Sequence, residues 1–363
     1  MTAALLTGHG GPDMLEVRDD VEVPVAGPGQ VLIEVAAAAV NTTDVWTRQG
    51  AYGSPEDPDA VAGWQGVALD VPRIQGGDVA GRVVAVGDGV DQAWVGCRVV
   101  ADPTFYADDG PEPTLTAVLG SELDGGFAQY LAVAAEQVHD VSDSPLSDAQ
   151  LACLPIAYGT AAGMLDRAGL REGETVLVTG ASGGVGLALV QLARARGATV
   201  VALTRAAHTD LLAEEGAHHT VSRDLPDTPD AADSGSDAPG TLTLSERIRE
   251  VAGGSVDVVA DVVGGWALEQ LLDVLAPGGR WVICGAVAGP VVRLDLRVLY
   301  LHRRQLIGST MHTPDQFARL VDDARSGRIE PRVARTYPLT HIHEAQADLA
   351  AGDEVGKLVL LPT

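Results

Sequence analysis

The sequence has almost no lysine. Of 363 residues only Lys357 is one, and Lys+Arg totals 24 against 50 Asp+Glu. The formal net charge is −26. So acidic a chain is repelled by nucleic-acid phosphates and by anionic membrane surfaces, so neither is expected as a partner. Cysteine is scarce too. Cys97, Cys153 and Cys284 stand far apart with no CxxC pair, so neither a disulfide framework nor a zinc knuckle is expected. The opening MTAALLTGHGGPDML lacks a cationic start followed by a long apolar core, and no apolar run reaches the length of a membrane span. A cytoplasmic, reduced setting is the expectation. What remains is a chain with 46% hydrophobic residues, long enough for two domains and rich enough in apolar side chains to core both.

The most informative stretch is Thr175 to Gly186, TVLVTGASGGVG. The apolar run Val176-Leu177-Val178 ends in a small-residue turn, and Leu187 to Ala193 continue at helical spacing. A strand–turn–helix of this kind points backbone N–H groups and a helix dipole at an anion such as pyrophosphate. Ala181, Gly183 and Gly186 allow a tight turn, close approach of the backbone to phosphate and close helix–strand packing. Ser182, Gly184 and Val185 complete the turn. A second strand, Thr199 to Leu203, closes a strand–helix–strand unit of about thirty residues, as dinucleotide binding requires. That strand ends Leu203-Thr204-Arg205, without the acid that bonds a ribose 2′-OH. A hydroxyl and a guanidinium suit a 2′-phosphate instead, with His208 nearby, so NADPH is the expected cofactor. A rival reading takes Gly180-Ala181-Ser182-Gly183-Gly184 as a hydrolase elbow with Ser182 as nucleophile.

Residues 1 to about 150 read as short strands between Gly/Pro turns, the pattern of a small barrel: Gln30–Val35, Gly81–Val86 and Cys97–Val100. Residues 102–126 read as loop. From Ser147, a helix-capping residue, the character changes, with Pro155 interrupting the helix and another helix at Thr160–Leu165. Beyond the nucleotide unit come a strand at Val256–Asp261, a helix at Leu268–Leu275 and strands at Arg280–Cys284 and Gln305–Gly308. The alternation argues an α/β domain, a doubly wound parallel sheet covered on both faces. Residues 224–241 are a polar surface insertion. The tail carries helices at Pro314–Ser326 and His343–Ala351 and a last strand at Lys357–Leu361.

Several motifs, in order, give the chain a family likeness. They are Asn41-Thr42-Thr43-Asp44 with Arg48 to Tyr52, then Gly76 to Gly87, Gly126 to Tyr130, Ala157 to Ala161, Ala181 to Gly186, and Val355 to Leu358. Over nearly its whole length the chain resembles the medium-chain dehydrogenase/reductase superfamily, in its zinc-free quinone-oxidoreductase and enoyl-reductase branch. The resemblance implies a GroES-like β-barrel catalytic domain, residues 1–150 completed by 312–363, and a Rossmann NADPH-binding domain, residues 151–311. The positions where zinc-dependent members hold metal appear here as Asn41, Gly77 and Ile156, which offer neither thiolate nor imidazole. No metal is expected.

The resemblance also implies roles. Zinc-free members place an Asn and often a Tyr near the nicotinamide, and Asn41 and Tyr52 stand at those positions. Asn41 would orient the ribose or the substrate carbonyl. Tyr52, a phenol with an ordinary pKa near 10, would donate a hydrogen bond or a proton. Thr160 would approach the nicotinamide. Val263-Gly264 and Gly285-Ala286 end strands on the ligand-binding rim, and Ser309-Thr310 match family cofactor contacts. Lys357 would reach the cofactor phosphate or else be a solvated charge. The expected activity is NADPH-dependent, zinc-independent hydride transfer to a conjugated carbonyl (a quinone, enone or enoyl thioester) by a homodimer. An alcohol or carbonyl oxidoreductase on the same scaffold, and an NADPH-binding protein with little turnover, are the alternatives.

Overall fold

The computed structural model describes residues 1–54, 57, 59–224 and 242–362. Apart from Asp224, the insertion expected at 224–241 lies outside the described residues. The chain divides into two compact units, Met1–Gly159 with Thr313–Thr363, and Thr160–His312. The first boundary thus falls after Gly159 rather than after residue 150. Among the described residues no helix is long and apolar enough to cross a membrane.

The first unit begins with strands β1 (Ala3–Leu6), β2 (Leu15–Arg18) and β3 (Gln30–Ala39), then helix α1 (Thr42–Gln49). Strands β4 (Arg73–Ile74), β5 (Ala80–Val86), β6 (Arg98–Ala101), β7 (Thr104–Tyr106), β8 (Leu115–Val118), β9 (Tyr130–Ala134) and β10 (Val138–Asp140) follow. A short helix α2 (Asp148–Leu151), capped by Ser147, comes next.

Strand β3 alternates buried Val31, Ile33 and Val35 with half-buried residues, the period of a strand with one face on a core. It is the hub of a mixed sheet, pairing antiparallel with β5 and β9. Gly81 of β5 is required there, because a Cβ would lie 2.2 Å from the Glu34 carbonyl oxygen. Residues 102–126, expected as loop, carry the antiparallel pair β7–β8. Three- and four-residue strands flanked by Pro103, Pro111 and Pro113 are too short to show a period.

The second unit holds α3 (Gly159–Arg167, begun at the boundary), β11 (Thr175–Val178), α4 (Gly184–Ala195), β12 (Thr199–Thr204), α5 (Thr209–Glu214) and β13 (His219–Ser222). It continues with α6 (Leu244–Ala252), β14 (Val256–Asp261), α7 (Trp266–Leu271), β15 (Leu275–Ile283), α8 (Arg297–Tyr300) and β16 (Gln305–Gly308). Leu275, expected in a helix, instead opens β15, whose pairing with β14 slips between Val256 and Val258 to absorb Pro277-Gly278-Gly279. Pro155 lies in a wide turn, Leu154–Tyr158, that runs directly into α3.

All six strands of this sheet are parallel, in the order β13-β12-β11-β14-β15-β16. That is the doubly wound order with its reversal between β11 and β14, where such sheets bind ligands at the carboxyl ends of the strands. Trp281, Val259 and Leu268 lie in its core.

The chain then returns to the first unit as α9 (Pro314–Arg325), β17 (Val333–Pro338), α10 (Ile342–Ala351) and β18 (Lys357–Leu361). Strand β18 pairs with the end of β3, matching Val359 to Ala39, and so brings the last residues beside α1.

Candidate active site

In the nucleotide unit the turn after β11 has the shape its small residues foretell. Gly180 sits at φ +58, and a Cβ on Gly186 would lie 2.1 Å from the Gly180 carbonyl oxygen. Helix α4 therefore approaches the strand as only glycine permits. Its N-cap is Gly183, and no side chain caps it. The first-turn N–H groups of Gly184, Val185 and Gly186 are the ones an α-helix leaves without an internal acceptor. Ala181 is buried, and Ser182 is half-buried; among the described residues no histidine hydrogen-bonds it, which leaves a nucleophile there without a base.

At the end of β12, the Thr204 hydroxyl is buried without a hydrogen-bond partner. A buried hydroxyl left unpaired costs free energy, and a ligand phosphate oxygen placed there would satisfy it. Arg205 follows, and His208 is buried one turn later. Asp224 accepts from the Ala206 amide at 2.7 Å and so puts a carboxylate beside this end of the strand. The residues present fit the pyrophosphate and ribose of a nicotinamide dinucleotide, with Thr204 and Arg205 favouring a 2′-phosphate and the Asp224 carboxylate opposing one.

Two features of the rim escaped sequence reasoning. Asp261, fully buried at the end of β14, accepts from the Thr179 hydroxyl at 2.6 Å, from the Val263 and Gly264 amides at 2.9 and 3.0 Å, and from Trp281 Nε1 at 3.1 Å. It thereby fixes the Val263-Gly264 turn. Gly285 closes on the same turn, since its Cβ would meet the Val262 oxygen at 2.7 Å, and Ala286 lies against Gly264.

The second feature is Arg167. Its Nη1 lies 2.9 Å from Ser309 Oγ and from the Thr310 carbonyl, and 3.0 Å from the Met311 carbonyl. Met311 adopts φ 46, which non-glycine residues rarely do. Its sulfur lies 3.9 Å from the Thr160 hydroxyl. Thus Thr160, Ser309 and Thr310 are gathered at one place, and Arg167 holds them.

In the barrel unit the three positions where zinc would be sought come together. A Cβ on Gly77 would lie 3.0 Å from Ile156 Cδ1. Asp78, next in sequence, accepts from the Ile156 amide at 2.6 Å and from Asn41 Nδ2 at 2.8 Å. Lys357 reaches in from β18 and donates to the Val40 carbonyl and to Asp78 Oδ2, both at 3.0 Å, and to Asn41 Oδ1. Lys357 is 4% exposed and Asp78 fully buried.

Lys357 is therefore not a solvated charge. All three ammonium protons are engaged inside the barrel unit, which leaves none for a cofactor phosphate and corrects that expectation. Asp44 accepts from the Asn41 backbone N–H at 2.7 Å, and burial chiefly pushes its carboxyl up to about 7. An amide, a glycine and an isoleucine do not suit zinc, and among the described residues no group of three His, Cys, Asp or Glu side chains is placed to hold a metal. Tyr52 stands on the exposed side of α1, its hydroxyl 2.6 Å from the Thr43 hydroxyl and its ring edge-on to Trp46.

Comparison with known proteins agrees with this geometry. Residues 27–143 match the alcohol dehydrogenase GroES-like domain family, and residues 184–326 the zinc-binding dehydrogenase family. A quinone oxidoreductase of Mus musculus is 30% identical over 99% of this chain and 98% of its own length. An acryloyl-coenzyme A reductase of Metallosphaera sedula is 32% identical over 99% of each chain. A solved structure from Sinorhizobium meliloti 1021, provisionally assigned as an alcohol dehydrogenase, superposes with a TM-score of 0.89 at 45% identity, covering all of this chain and 97% of that one. The chain belongs to the medium-chain dehydrogenase/reductase superfamily, is quinone-oxidoreductase-like, and is an oxidoreductase of a family that uses nicotinamide cofactors.

Proposed function

We propose that this protein is a zinc-independent, NADPH-dependent reductase of conjugated carbonyls: quinones, enones or enoyl thioesters. The observation that carries the cofactor choice is the unpaired, buried Thr204 hydroxyl followed by Arg205 at the end of β12. A guanidinium offers a charged fork to a 2′-phosphate. The substrate class rests on the relatives, which reduce a quinone and an acryloyl thioester.

NADPH, when bound, supplies the hydride that reaches the β-carbon. The chain's own residues do the rest. Gly183 to Gly186 would hold the pyrophosphate with their amides, and Asp261 and Arg167 keep the 263–264 and 309–311 turns rigid. Tyr52 carries a phenolic proton at the barrel surface, hydrogen-bonded with Thr43, and would give it to the α-carbon or oxygen of the enolate that hydride addition leaves, then regain a proton from solvent. The zinc positions hold neither thiolate nor imidazole, so oxyanion charge is met by a hydrogen-bond donor, the Tyr52 hydroxyl, rather than a Lewis acid. The assembly is a homodimer, joined through β16, the outermost strand of the parallel sheet.

NADPH oxidation against a panel of quinones, enones, enoyl thioesters and saturated ketones tests the reading. Turnover confined to the conjugated substrates supports it. Turnover of saturated ketones alone, or of none, overturns it, as does a requirement for stoichiometric zinc.

A further inference from the structure

Asn41 is the only asparagine of the 363 residues and Lys357 the only lysine, and the two are hydrogen-bonded to each other beside Asp78. An asparagine amide is ambiguous by shape, because its oxygen and nitrogen ends are nearly interchangeable; its neighbours must decide which is which. Here both neighbours decide. An ammonium has three donors and no acceptor, so the atom facing Lys357 is the oxygen. A carboxylate only accepts, so the atom facing Asp78 is the nitrogen. The second nitrogen proton goes to the Ala39 carbonyl at 3.3 Å. Both donors of Asn41 are therefore engaged within the barrel unit. The capacity left is one lone pair on Oδ1.

We propose that Lys357 and Asp78 are positioning residues that lock the Asn41 amide in one orientation, so that Asn41 accepts a hydrogen bond from a ligand hydroxyl and does not donate one to a substrate carbonyl. The proposal rests on the function proposed above and on the place beside the nicotinamide that the family resemblance implies for Asn41. It assigns carbonyl polarisation to Tyr52 and leaves Asn41 to recognise an O–H, either of the cofactor ribose or of an alcohol.

A single asparagine makes the test direct. Protein grown with [15N]asparagine shows one side-chain NH2 pair. In the free, unmodified protein those protons exchange with solvent at least tenfold more slowly than in free asparagine. A pair that exchanges as fast as free asparagine, and becomes protected only on adding ligand, overturns the proposal, because the donors were then available. Titration with NADPH, and separately with 2-propanol, identifies the hydroxyl by which of them shifts the pair; if neither does, the acceptor role is overturned.

Lys357→Met/Asp78→Leu removes both charges, leaves no ion unpaired and adds no second asparagine to the label. If the variant is folded by circular dichroism, the NH2 protection falls tenfold or more, and the Kd of whichever hydroxyl ligand shifted the pair rises severalfold. Unchanged protection and Kd in that folded variant overturn the positioning role. Should NADPH fail to bind at all, by tryptophan fluorescence, the function proposed above fails while the protection measured in the free protein still stands or falls by itself.

Discussion

Asp44 shows what a buried carboxyl in the first turn of α1 does to the protein. Burial raises its pKa from 3.8 to about 7; the Asp78 charge adds to this, while the hydrogen bond from the Asn41 amide and the Lys357 charge oppose it. Between those two values the folded chain holds a proton that the unfolded chain has released. The associated stabilisation is therefore complete below about pH 4 and is lost as pH rises through 7, with a slope of at most about 1.4 kcal/mol per pH unit. Asp44→Asn keeps an oxygen for the Asn41 backbone N–H and has no proton to lose. We expect it to melt above the parent at pH 8 and to lose most of that advantage as pH falls to about 4. Melting curves that stay parallel across this range sink the assignment.

Arg205 gives a second prediction at the same scale. Arg205→Ala should weaken NADPH by about 10- to 100-fold, the loss of a charged hydrogen bond worth roughly 1.5–3 kcal/mol, and leave NADH unchanged. Asp224→Asn should do the reverse, since its carboxylate beside the Ala206 amide repels a 2′-phosphate. Tryptophan fluorescence titration reads both. Equal effects on the two cofactors count against a 2′-phosphate site.

Among elements, the contact that matters most is α3 against the segment after β16. A Cβ on Gly163 would lie 2.2 Å from the Met311 carbonyl oxygen, one of the three oxygens (one hydroxyl, two carbonyls) held by Arg167. Gly163→Ala must push the segment away. It should cost about 1–3 kcal/mol and lower the melting temperature by several degrees. A variant that melts with the parent places the segment farther from α3 than described. None of this was legible in the sequence, because Gly163 and Met311 are 148 positions apart and neither belongs to a pattern.

What could be read was local. The turn at 180–186 and the last strand at Lys357–Leu361 follow from composition and apolar runs, and β3 from its alternation. The β7–β8 hairpin was too short to show a period. Lys357 was misread for a different reason. Near the chain end a lone charge looks solvated, and only the pairing of β18 with β3 carries it under α1, where Asp78 and Asn41 lie. The signal available was the count itself: a chain that avoids lysine and asparagine keeps one of each.

For the whole molecule the question is how so acidic a chain would form the proposed dimer. Strand β16 ends the parallel sheet, and around it Leu296, Tyr300 and Leu301 are about two-thirds exposed and Leu306 over one-third. A bare strand edge beside apolar side chains is a pairing surface unless something guards it. A two-fold axis across β16 would pair the strand with its own copy and bury those side chains against each other. Each partner brings a net charge of −26, so long-range repulsion opposes what apolar burial favours. Salt screens the first, with a Debye length of about 10 Å at 0.1 M, and does not weaken the second. The proposed dimer should therefore tighten as salt rises, the opposite of an interface held by ion pairs. Sedimentation velocity should show a dimer whose dissociation constant falls severalfold between low and 0.5 M salt, while Leu301→Asp/Leu306→Asp sediments as a folded monomer at both. A parent that is monomeric throughout, or a dimer that salt dissociates, refutes assembly through this edge.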